Sequence, residues 1–156
     1  MKKNLDKYGE ILYHLINFRL EQYKDSKSMI GVDFDSFMII SCIGSHYLRT
    51  KTKEGSNWDF IWEQTRSSNN YKHLNSKKLT IFAVSNIVSL PKETVRRKIE
   101  LLKKKRLISY STNRGLTPTE KIEELMKPFA IKELKVLANF LKALKKNKSL
   151  DQLLNF

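Results

Sequence analysis

The sequence predicts a mainly α-helical protein in which two helices joined by a tight turn run into a short β-hairpin, with further helices on both sides. Three observations carry this prediction. Only 5 Gly and 3 Pro occur in 156 residues, too few for a loop-rich all-β fold. Apolar residues recur at three- and four-residue spacing through several long stretches, the period of an amphipathic helix. The charge is uneven: 30 Lys and Arg against 16 Asp and Glu leave a formal net charge of +14. Between Lys72 and Arg106 there are 11 bases, opposed only by Glu93 and Glu100.

The composition, 40% hydrophobic and 29% charged, belongs to a folded chain. Its length suits one domain over 1–156, made of N-terminal helices (1–70), a central motif (74–118) and C-terminal helices (119–156). Cys42 is the single cysteine, so an internal disulfide is excluded and a reducing compartment is expected. Asp6 and Glu10 interrupt any signal-peptide core, and the apolar run Phe37 to Ile43 is far too short to cross a bilayer. The expectation is a cytoplasmic protein without a membrane partner. A balance this basic favours a polyanion, either nucleic acid or an acidic membrane surface.

The elements follow in order. Leu5, Tyr8, Leu12, Leu15 and Ile16 predict a helix over about 4–24, and the polar segment to Gly31 ends it. Asp33 is placed to cap a second helix over about 34–49. Its Phe34, Phe37, Met38, Ile40, Ile43 and Tyr47 make it the expected central core helix. A short helix over about 57–66 carries Trp58, Ile61 and Trp62, and the polar stretch Ser67 to Ser76 reads as a mobile linker. Near the C-terminus a helix start at Pro118 to Lys127, with Thr119 near its cap, precedes a last helix over about 130–146. Ile131, Leu134, Leu137, Leu141 and Leu144 form the stripe of that last helix.

The central stretch carries the chemistry. Thr80 precedes a helix, Ile81 to Val88, whose Phe82, Ala83 and Ile87 can pack inward. Ser89 and Leu90 make a tight turn, and Pro91 fits the first position of the next helix, where its missing N–H costs nothing. That helix runs to about Lys105. Val95, Ile99 and Leu102 form a narrow inward stripe. Glu93, Arg97 and Lys104 fall opposite, and Lys92, Thr94 and Arg96 flank them. A helix that reads DNA needs one edge held by the core while its N-terminal half reaches base edges in the major groove. Leu107 to Tyr110 then reads as a strand, Ser111 to Gly115 as a turn with Arg114 at its tip, and Leu116-Thr117 as the return.

The stretch from Ile81 to Leu102 resembles the winged helix-turn-helix of bacterial transcription regulators. Within it, Pro91-Lys92-Glu93-Thr94-Val95-Arg96-Arg97 resembles the recognition-helix start of GntR-type proteins. Arg114-Gly115-Leu116-Thr117-Pro118, with helices on both sides, resembles the MarR-type order. The resemblance implies a homodimer built from the terminal helices, each recognition helix and wing reading half of a palindrome. Arg106 stands where such motifs carry Gly after the recognition helix, which predicts a cost of roughly 1 kcal/mol if its backbone is left-handed.

The expected function is therefore that of a sequence-specific, double-stranded DNA-binding regulator. Expected base or nearby phosphate contacts come from Lys92, Thr94, Arg96 and Arg97, and Ser89 and Glu93 are counted with them as DNA-binding residues. Expected backbone contacts come from Lys77, Lys78, Thr80 and Arg114. Arg96 and Arg97 could instead form ion pairs with Glu93 and Glu100, and Lys103 to Arg106 could clamp a phosphate or simply complement a helix C-terminus. Two other classes stay open: a replication or partition initiator, and a winged-helix protein-interaction module. His14, His46 and His73 lie far apart with no metal-ligand spacing, and no phosphate loop or nucleophile elbow occurs. No enzyme, metal or cofactor is expected. Whether Trp58, Ile61 and Trp62 line an effector pocket or belong to a core is open.

Overall fold

The structure, a computed structural model, describes residues 7–51 and 78–155. Among these the protein is mainly helical, with one two-stranded antiparallel hairpin and flanking helices. The expected helix over 57–66, the linker Ser67 to Ser76, and Leu5, His73 and Lys77 lie outside the described residues. The chain divides into two compact units: residues up to Gly31 together with those from Leu125, and Val32–Glu124.

The second unit begins where Asp33 Oδ1 accepts from the Ser36 amide at 2.8 Å, capping helix α2 (Phe34–Lys51) as its sequence position predicts. Within this unit α2 packs against α3 (Ile81–Val88), α4 (Lys92–Lys104) and strand β2 (Gly115–Pro118). Phe37, Ile39, Ile40 and Ile43 point into that core. Phe34 and Met38 were expected to share in it but are exposed, because the buried face follows 36, 39, 40 and 43 and leaves 34 and 38 on its rim. Thr80 Oγ1 accepts from the Ala83 amide at 3.2 Å and caps α3. There the expected inward set needs correction. Ala83 and Val84 are buried, while Phe82 is 51% exposed, since in so short a helix only the 83/84/87 edge can face α2 and α4.

Strand β1 (Ile108–Ser111) pairs antiparallel with β2 in the register Ile108↔Pro118 and Ser111↔Gly115, close to the predicted hairpin. The segment before α3 joins this hairpin from the other side. Leu79 bridges Gly115 in parallel sense, and the Leu116 amide donates to the Leu79 carbonyl at 2.9 Å. Gly115 is left-handed at φ +71°, and a Cβ there would meet the Leu79 carbonyl oxygen at 2.4 Å.

The first unit holds α1 (Lys7–Asp25), a π-helical turn (Ser26–Ile30) ending at left-handed Gly31, the part of α5 (Glu120–Lys146) from Leu125, and α6 (Leu150–Leu154). The expected break near Pro128 is absent, and α5 runs straight through it. An internal proline removes one backbone hydrogen bond. Phe129, the next residue, is buried. Buried Asp25 pairs with Lys132, whose ammonium also lies 3.9 Å from Glu21, and Phe18 meets Phe140 at a ring separation of 5.7 Å. The predicted terminal stripes are largely not core. Tyr8, Leu12 and Ile16 on α1, and Ile131, Leu134, Leu137 and Leu141 on α5, are exposed, whereas Ile11, Phe129 and Leu144 are buried. A helix period defines a stripe but not which of two adjacent stripes meets the neighbouring helix. No single helix among the described residues is long and apolar enough to cross a membrane.

Two backbone positions give opposite predictions. Gly115→Ala is expected to destabilise by more than about 2 kcal/mol, because the clash is with backbone and the conformation is left-handed. Arg106→Gly is expected to stabilise by about 1 kcal/mol, since Arg106 holds φ 59°. Urea unfolding midpoints read both.

Candidate nucleic-acid interface

The basic helix α4 is held at both ends by local backbone geometry. Upstream, Ser89 closes α3 in the left-handed conformation at φ 57°, and the Ser85 hydroxyl donates to the Leu90 carbonyl at 2.7 Å. Pro91, at φ −55°, stands just outside the helix and leads into it without an unsatisfied N–H, so α4 starts one residue later than predicted. Downstream, the Arg106 amide reaches the Lys103 carbonyl at 2.9 Å and the Leu107 amide reaches Leu102 at 3.0 Å. This is a Schellman closure with Arg where Gly is usual, and buried Leu102 and Leu107 supply its apolar contact. The first turn of α5 secures the same end. Thr119 Oγ1 lies 2.7 Å from the Arg106 carbonyl oxygen, and Lys121 Nζ donates to the Lys105 carbonyl at 3.0 Å.

The rotation of α4 about its axis is set by apolar burial and by one ion pair. Val95, Ile99 and Leu102 are 0–1% exposed, as their spacing predicts. Lys98, beside that stripe, donates to Asp33 Oδ2 at 2.8 Å and lies 3.7 Å from Asp35. Asp33 thus caps α2 and holds α4. Partial burial opposes ionisation of its carboxyl, but Lys98 and the Ser36 amide outweigh that and keep its pKa below the ordinary 3.8.

The outward face then carries charge. Lys92, Glu93, Arg96, Arg97 and Lys104 are exposed, and Thr94 is half-buried. The ion-pair alternative foreseen for the arginines is present, with a different distribution. Arg96 donates to Glu93 through Nε at 2.9 Å and Nη2 at 2.6 Å, and Arg97 Nε reaches the same carboxylate at 3.4 Å. Glu100 pairs with Lys103 at 3.1 Å. Hydrogen bonding from Arg96 outweighs desolvation and, with the Arg96 charge and a lesser part from Arg97, pulls the Glu93 carboxyl down to about 2. Glu93 is therefore an anion throughout the physiological range.

The remaining predicted residues separate into two groups. Arg114 lies in the three-residue hairpin turn with its amide donating to Ser111 Oγ at 3.1 Å, and its side chain is exposed. Lys78 and Thr80 have internal roles: Lys78 Nζ donates to the Thr112 carbonyl at 3.2 Å, tying the segment before α3 to the hairpin turn, and Thr80 is the α3 cap. Gly115, Lys98 and Asp33 shape this region without appearing among the predicted site residues. For Gly115, a glycine at the end of a three-residue turn was the available signal. Nothing local to Lys98 points to two aspartates 65 and 63 residues upstream. Among the described residues no group of His, Cys, Asp and Glu is arranged to hold a metal ion. Cys42 is buried in α2.

Asp33→Asn isolates the ion pair, because Asn caps a helix about as well as Asp. The folded Asp33 binds its proton less readily than the unfolded chain, so its contribution is whole above about pH 4 and is lost as pH falls through the lower folded value. The variant is expected to be less stable by no more than about 1 kcal/mol at pH 7, for so exposed a carboxylate. That gap closes in acid, as read by chemical unfolding at stepped pH. No protein-family model matches the chain, and no curated protein matches it.

Proposed function

We propose that this protein is a sequence-specific, double-stranded DNA-binding transcription regulator of the winged helix-turn-helix kind, acting in the cytoplasm as a homodimer. In this reading α4 enters the major groove by its N-terminal half, and the hairpin turn with Arg114 meets the backbone or the minor groove. One observation carries it. Helix α4 buries a single narrow edge and turns Lys92, Arg96, Arg97 and Lys104 outward, directly after a tight left-handed turn and directly before a hairpin whose turn is exposed. A helix with that division of its surface can lie in a groove while its other side stays held by the core.

The dimer rests on the exposed apolar rows of α1 and α5. Five of the exposed large hydrophobic residues, Tyr8, Leu12, Ile16, Leu20 and Tyr23, recur every third or fourth position of α1, and α5 presents Ile131, Leu134, Leu137 and Leu141. Rows this continuous are costly in water and favour self-association. A second reading, a protein-interaction module that keeps the same shape, draws on exposed Phe82, Leu101 and Tyr110 in the unit that holds α4.

Fluorescence anisotropy with duplex DNA decides between the two. Binding that releases counterions falls linearly on a plot of log affinity against log salt, and Arg114→Ala is expected to lessen the slope by about 1. Affinity unchanged between about 50 and 200 mM salt would remove the DNA reading. Sedimentation equilibrium is expected to give twice the chain mass for the wild type, and the single-chain mass for Leu134→Glu.

A further inference from the structure

The contact between Glu93 and Arg96 has a direction as well as a charge. Arg96 offers Glu93 its Nε–H and one Nη2–H, the two donors along one edge of the guanidinium, at 2.9 and 2.6 Å. The other edge, Nη1 with the second Nη2–H, is left pointing away from the carboxylate, as the planar geometry of the group requires. Neither side chain is buried, so no core packing holds this arginine; Glu93, one helical turn before it, does. Both lie in the first two turns of α4 on its outward face.

We propose that Glu93 is a positioning residue that braces Arg96 so that its remaining fork is presented to the O6 and N7 atoms of a guanine. The inference rests on the DNA-binding reading and adds to it a named base and a division of labour. A parallel pair of N–H donors matches the two major-groove acceptors of guanine and of no other base. An unbraced arginine reaches phosphates as readily as bases, and phosphate contacts carry no sequence information. The braced form loses less rotamer freedom on binding the guanine, and the Glu93 charge disfavours an approach made to phosphate alone. Arg97, at 3.4 Å from the same oxygen and by a single bond, is not held in this way and is left to the backbone.

The test is selection of bound duplexes from a random pool by the full chain, its Glu93→Gln variant and its Arg96→Lys variant. The proposal expects the wild type to favour guanine at one base pair of the selected site by about tenfold. Glu93→Gln should reduce that preference to about threefold or less, while binding unselected duplex as tightly as the wild type or several-fold tighter. Arg96→Lys, which keeps the charge but not the fork, should lose the preference at the same base pair. A Glu93→Gln protein that keeps the guanine preference overturns the brace and leaves the DNA-binding reading standing. So does one that melts like the wild type yet binds no duplex. Should Glu93→Gln fail to fold, Arg96→Lys decides alone: a retained guanine preference overturns the proposal, and its loss supports it. A wild type that binds no duplex overturns this inference and the DNA-binding reading together.

Discussion

Helix α4 has to bury one narrow edge while leaving the rest of its circumference in water, and the unit around it is arranged to make that possible. Val95, Ile99 and Leu102 occupy the edge. Burying three such side chains contributes roughly 1.5–3 kcal/mol each, which fixes the rotation of a helix whose other positions are mostly charged. The left-handed residues Ser89 and Arg106 then stop the chain sharply at each side, so α3 turns back onto α2 and α4, and the hairpin packs through β1 on α4 and through β2 on α2. Lys98 completes the arrangement. Its exposure is only 18%, and its pairing with Asp33 and Asp35 ties the side of α4 to the start of α2.

That ion pair also changes the electrostatic description. Counted along the sequence, the charged residues of the segment from Lys72 to Arg106 are 11 bases against two acids. In three dimensions Asp33 and Asp35 are brought to it from α2, and Glu93 and Glu100 engage Arg96, Arg97 and Lys103 along the outward face. The outward potential is still positive, but it is ordered into cations held by an acid one turn away and cations such as Lys92, Lys104 and Arg114 that have no ion-pair partner among the described residues. Exposed pairs of this kind add little stability. Their value lies in holding long side chains in a defined direction.

The first unit obeys a different balance. Ile11, Phe129 and Leu144 are buried in it, and its helices meet through the rings of Phe18 and Phe140 and through buried Asp25, whose charge is matched by Lys132. A buried carboxylate is tolerated only with such a partner. Two helices and a short third one have too little inward surface to cover every apolar position, and the rows left outside on α1 and α5 are long and regular.

Helix positions, the capping roles of Asp33 and Thr80, the α4 stripe and the hairpin were legible in the amino-acid order, because each depends on residues within about one or two turns of one another. The strain expected at Arg106 is also local, and its φ of 59° agrees. Contacts made across the chain were not legible. The approach of Leu79 to Gly115, the pairing of Lys98 with Asp33, the outward place of Phe82 and the passage of α5 through Pro128 each depend on which surfaces meet. The same holds for the bracing of Arg96: spacing alone allowed Glu93 or Glu100 as its partner, and the side-chain geometry selected Glu93. The sequence by itself thus determined the period, the caps and the sign of the charge, since these arise from neighbours along the chain. Tertiary structure decided which stripe is core and which cations face outward, since burial is a property of the assembled surfaces.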